Sequence, residues 1–75
     1  MTSEEKKKIL VDFGNRFRKI RRTQDITLED LSNMSGIAYS TIVKIEKGDI
    51  NTGIANLIKL AEKLKVHPSE FFESS

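Results

Sequence analysis

The sequence predicts an all-α fold, a bundle of five helices, on three observations. Apolar side chains recur at every third or fourth position through most of the chain. Two Thr-x-x-acid patterns, Thr2 with Glu5 and Thr27 with Asp30, have the spacing of helix-starting capping boxes. Nowhere do apolar and polar residues alternate over more than a few positions, as a half-buried strand requires.

The first helix is expected over residues 3–23, with Leu10, Phe13, Phe17 and Ile20 on its inner face. Thr23-Gln24-Asp25 breaks that pattern, and a second helix is expected over 27–35. Leu28, Leu31 and Met34 form its inner face, and Ser32 is small enough to let another helix come close. Gly36 suits the left-handed conformation that closes so short a helix. Ile37 then plugs a turn, while Ile42 and Ile45 share one face of a third helix over 38–47, ended by Gly48. Between Gly48 and Gly53, residues 49–52 read as a loop, and the repeat of Ile54, Leu57, Ile58, Ala61 and Leu64 predicts a fourth helix over about 52–65. Pro68, suited to a first helical position, opens a fifth over 68–73 that carries Phe71 and Phe72.

With 75 residues the chain is read as one domain, 1–75, whose thin core needs a supplement. Disulfides are excluded by the absence of cysteine, and a metal is not expected around the single histidine, His67. Self-association is left. No apolar run is long enough for a signal peptide or a membrane span, and the protein is expected to be cytoplasmic. The net charge of +2 is too small to argue for a nucleic-acid partner, but its distribution is uneven. Residues 1–25 hold eight basic and four acidic side chains, so the first helix carries the surplus. A solvated helix surface is the commoner cause of a run such as Lys6-Lys7-Lys8. Catalysis is not expected: no pair of acids or phosphate-binding loop outcompetes capping as the role of Glu29 and Asp30.

Two short helices joined by a tight glycine turn are a DNA-reading device, in which the second helix enters the major groove. The run Thr27-Leu28-Glu29-Asp30-Leu31-Ser32, followed by Gly36 to Gly48, resembles the phage-repressor and Cro-like helix-turn-helix family. Gly14 and Arg21 upstream, and Asn51, Leu57, Ala61, Leu64 and Phe72 downstream, match that family as well, so the resemblance covers roughly residues 10–73. It implies a five-helix lambda-repressor-like bundle that binds double-stranded DNA as a small transcriptional regulator, similar to restriction–modification controller proteins. It also implies an ion pair between Arg21 and Glu46, tying the first helix to the end of the recognition helix.

Base contacts are expected from Tyr39, Ser40 and Lys44, the positions that commonly meet base edges in the family. Lys44 can donate to guanine, Ser40 can donate or accept, and Tyr39 can offer its ring to a thymine methyl. The alternatives are burial of Tyr39 in the turn and a merely solvated Lys44. Phosphate contacts are expected from Thr27, Thr41, Lys47, Asn51 and Thr52, of which Thr27 and Asn51 serve equally well as caps.

Three residues depart from the family pattern. Leu28 stands where a phosphate-contacting glutamine is usual, Ala38 where a serine or threonine caps the recognition helix, and Asp49 where a basic residue is common. Asp49 is expected to repel the DNA backbone. One recognition helix reads few base pairs, so a homodimer on a palindromic operator is expected, with Ile50, Leu60, Phe71 and Phe72 as candidate interface residues. In the alternative, both phenylalanines pack within one chain. No cofactor and no small-molecule ligand are expected, since so short a chain leaves no room for a sensing domain. The competing reading is a protein-interaction or antitoxin module that uses the same fold for dimerisation or to grip a partner.

Overall fold

The computed structural model describes residues 1–72. Four α-helices follow one another: α1 (Ser3–Thr23), α2 (Leu28–Ser35), α3 (Tyr39–Lys47) and α4 (Ile54–Lys63). The chain then makes a 3₁₀ turn, Pro68–Phe71, where a fifth α-helix was expected. Residue 73, the expected end of that helix, lies outside the described residues. The turn from Pro68 to Phe71 is four residues long, too short to close a run of α-helical hydrogen bonds, and the tighter form suffices. His67 starts this turn: its Nδ1 accepts from the Ser69 amide at 3.1 Å, and its own amide donates to Glu70 Oε2 at 2.9 Å.

Both threonine capping boxes form. Thr2 Oγ1 accepts from the Glu5 amide at 3.1 Å and Glu5 Oε1 from the Thr2 amide at 3.0 Å; this amide, and with it the Thr2 side chain, holds the Glu5 carboxyl below its ordinary pKa. At α2, Thr27 Oγ1 accepts from Asp30 at 3.0 Å and Asp30 Oδ2 from Thr27 at 3.3 Å. Helices α2 and α3 each begin one residue after their expected starts, because Thr27 and Ala38 are the caps. Helix α4 runs from Ile54 to Lys63 and not over 52–65: extended Gly53 caps its start, and Lys65 leaves helical geometry at φ 58°.

Three helices end in the same way. After α1, α3 and α4 a residue in the left-handed region, Asp25, Gly48 or Lys65, lets the next amide reach a carbonyl five residues back. The bonds are Ile26 to Arg21 (3.3 Å), Asp49 to Lys44 (2.9 Å) and Val66 to Ala61 (3.0 Å). Ile26 and Val66 thereby turn inward against the core.

Phe17, Leu31, Ile42, Leu60, Leu64 and Phe71 are fully buried, with Phe13, Ile45 and Ala61 completing the core. The rings of Phe13, Phe17 and Phe71 cluster with centroids 5.3–6.3 Å apart, and Phe13 meets Phe71 edge-on. Two interface candidates are thereby corrected. Leu60 and Phe71 are each 0% exposed, packed where α4 and the 3₁₀ turn meet, and present nothing to a partner. Conversely Ile58 and Met34, expected on inner faces, are 51% and 44% exposed.

Candidate nucleic-acid interface

The turn between α2 and α3 is held by its own serines. Gly36 is left-handed (φ 75°) and its amide donates to Ser32 O at 2.9 Å. Ser32 Oγ donates to Ile37 O at 2.7 Å, and the Ile37 amide donates to Ser35 Oγ at 3.1 Å. Each polar group of the turn that could be stranded beside the half-buried Ile37 therefore has a partner. Sequence reading gave Ser32 only a small size; its position five residues before the turn's apolar plug was the available signal.

Burial of Ile42 and Ile45 fixes the rotation of α3 about its axis. Tyr39, Ser40 and Lys44 are consequently exposed, with Thr41 and Val43 half-buried at the flanks. Tyr39 is 52% exposed and so stands outside the turn rather than plugging it. Ala38 provides no side-chain cap, so the first amides of α3 have no side-chain acceptor.

Arg21 and Glu46 lock this face to α1. Arg21 Nε donates to Glu46 Oε2 at 2.6 Å and Nη2 to Oε1 at 3.1 Å, a bidentate contact. Nη1 donates to Ile26 O at 2.7 Å, which draws in the connection that leads to α2. Arg21 is only 7% exposed, and every nitrogen of its guanidinium is used. About two turns earlier, Gly14 lets α1 press on the end of α3. A Cβ there would lie 2.5 Å from Glu46 O and 2.6 Å from Ile45 O, both backbone atoms that cannot yield cheaply.

The expected phosphate contacts sit around α3. Thr27 is at the start of α2, Thr41 and Lys47 are on α3, and Asn51 and Thr52 lie in the loop before α4. Thr27 Oγ1 is already an acceptor within its capping box, and Thr52 Oγ1 accepts from Asn56 Nδ2 at 3.0 Å, so each keeps its hydroxyl proton to donate. Asn51 is exposed and caps nothing, since Gly53 starts α4. Asp49 differs from expectation: Lys7 donates to its Oδ1 at 3.2 Å and to Gly48 O at 2.9 Å, so a cation from α1 offsets the charge that was to repel DNA.

Away from this face, Phe72 is 58% exposed with its ring 5.4 Å from Phe13, and Ile50 is half-buried beside it. Together with Ile9 they line a shallow apolar cleft of about 110 Å³, and Ile54 and Ile58 expose further apolar surface on α4. Among the described residues no group of three or more His, Asp or Glu side chains could hold a metal ion, and no helix is long and apolar enough to cross a membrane.

Two short helices joined by a three-residue turn, braced by α1 and α4 and showing one polar helix face to solvent, define a helix-turn-helix domain. The family model for helix-turn-helix matches residues 17–71, and the chain belongs to that family. An HTH-type transcriptional regulator of Sinorhizobium fredii is 37% identical over 60 residues, covering 80% of this chain and 42% of the relative. One from Bacillus subtilis is 44% identical over 55 residues, covering 72% and 40%. The chain thus spans about two-fifths of the length of the curated relatives it matches. Among solved structures it is similar to the restriction–modification controller protein C.AhdI from Aeromonas hydrophila. The TM-score is 0.82 at 36% identity, over 84% of this chain and 96% of the other. A helix-turn-helix regulator from Vibrio cholerae, at 24% identity, shares the fold with a TM-score of 0.84 over 89% of this chain and 38% of its own.

Proposed function

We propose that this protein binds double-stranded DNA sequence-specifically as a transcriptional regulator, with α3 in the major groove. The observation that carries the reading is the exposed row Tyr39, Ser40 and Lys44 on a helix whose rotation is fixed by buried Ile42 and Ile45 and whose end is held by Arg21 and Glu46. A recognition helix needs both properties: side chains free to reach base edges and a frame that does not move when they do. Family membership and the likeness to HTH-type regulators and to a restriction–modification controller support it.

In this reading Tyr39, Ser40 and Lys44 contact bases, while Thr27, Thr41, Lys47, Asn51 and Thr52 contact phosphates on either side of the groove. On the same reading the helix-turn-helix domain acts in the cytoplasm and without catalysis. Two copies pair through the apolar surface that includes Ile50, Ile58 and Phe72, which places two α3 helices on a palindromic operator.

The test is selection of bound duplexes from a random pool at two salt concentrations. The expected result is enrichment of a palindromic sequence with an affinity that falls as salt rises. No enrichment at low salt would leave the protein-interaction reading in its place.

A further inference from the structure

Helices α1 and α3 enclose an open cleft of about 350 Å³ whose floor includes Leu28 and Val43 and whose walls carry Arg18, Arg22 and Lys47. A second cleft shares Arg18 and Arg22 and continues along α1 past Lys19. The one acid among the described lining residues is Glu46, which is committed to Arg21. Arg18, Arg22 and Lys47 are exposed, and among the described residues none of them has a carboxylate partner.

Three like charges converging on one cleft repel each other until an anion enters. The spacing favours a particular anion. Arg18 and Arg22 are one turn apart on α1, about 6 Å along its axis. That reach suits two neighbouring phosphates of one DNA strand, whose separation through space exceeds their rise of about 3.4 Å along the duplex axis. The cleft is also continuous with the proposed recognition helix, since Val43 and Lys47 of α3 form one of its sides. A strand bordering the groove that α3 occupies therefore runs along it.

We propose that Arg18 and Arg22, with Lys47, form a track for the phosphodiester backbone of duplex DNA. The track takes over the anchoring lost where Leu28 stands in place of a hydrogen-bonding side chain. Leu28 lines the same cleft, and its side chain offers a phosphate no hydrogen bond. The proposal rests on the DNA-binding reading and adds α1 to the contact surface. The sequence-based phosphate set drew on helix ends alone and so missed both arginines.

The experiment compares wild-type protein, Arg18→Gln/Arg22→Gln and the equal-charge control Lys59→Gln/Lys65→Gln on one short random-sequence DNA duplex, titrated across salt concentrations. All four positions are exposed, and melting curves of the three proteins check that each is folded. Each lost phosphate contact lowers the magnitude of the log–log salt slope by about 0.9. The arginine variant is therefore expected to lose about two from the slope. Between about 50 and 200 mM salt, wild-type protein then loses roughly tenfold more affinity than the variant does. The control keeps the wild-type slope. A wild-type protein that binds the duplex while the arginine variant retains its slope overturns the track and leaves the DNA reading standing; so does an equal change in the control, which reduces the effect to net charge. A wild-type protein that binds no duplex at low salt overturns both.

Discussion

Arg21 shows how much one side chain can organise at this size. Its guanidinium joins α1, the connection before α2 and the end of α3 through three hydrogen bonds, and both members of the ion pair are more than nine-tenths buried. Removing one partner strands the other charge in the interior, which costs about 3–5 kcal/mol. Arg21→Ala is expected to lower the melting temperature by more than 10 °C, at about 4–8 °C per kcal/mol for a domain this small. Arg22→Ala, one residue on and exposed, is expected to stay within about 0.5 kcal/mol of wild type. Equal losses in thermal melts of the two variants would remove the pair from the account. The link between Arg21 and Glu46 was not readable from their spacing of 25 residues; it came from resemblance to a family. By contrast, Asp49 was misread because its partner Lys7 is 42 positions away and belongs to a run of lysines that looks merely solvated.

At the scale of elements, local signals carried most of the information. Capping boxes at Thr2 and Thr27 and the left-handed closures at Gly36 and Gly48 involve residues only a few positions apart, and their chemistry is complete within the segment. Helix α4 was less legible for a definite reason. Its apolar residues fit two overlapping registers, one through Ile54 and Ile58 and one through Leu60, both sharing Leu57, Ala61 and Leu64. The second is the one that packs: α2 and the 3₁₀ turn lie on that side, and no local pattern reports where they lie. Helix α3 carries the clearest local defect, the uncapped start at Ala38. Ala38 already has the extended backbone of a cap (φ −56°, ψ 138°), so Ala38→Ser needs no rearrangement. It is expected to raise stability by about 1 kcal/mol, measured by thermal or urea unfolding. An unchanged midpoint would mean that the first amides of α3 are adequately satisfied by water.

For the molecule as a whole, the described residues expose side chains of two different chemistries. The face of α3 is polar and framed by cations, whereas the surface of Ile9, Ile54, Ile58 and Phe72 is apolar. The fold class was legible because its helices are amphipathic and its turns are marked by glycine. Of the four residues expected to pair two copies, Leu60 and Phe71 are consumed by the core, while Ile50 is half-buried and Phe72 is exposed. If the apolar surface pairs two copies, Ile58→Glu should weaken association by about 2 kcal/mol or more, some thirtyfold, with little loss of monomer stability because the site is half exposed. Sedimentation equilibrium would register this as a shift toward monomer, and an unchanged mass distribution would place the interface elsewhere.

The central claim is that α3 is the element that meets DNA. Its most direct test is a titration of isotopically labelled protein with the duplex recovered by selection, following amide chemical shifts residue by residue. The largest perturbations are expected at Tyr39, Ser40, Thr41 and Lys44, with smaller ones at Thr27, Lys47, Asn51 and Thr52. Perturbations confined to the apolar surface of α4 and Phe72, with α3 unmoved, would contradict the claim.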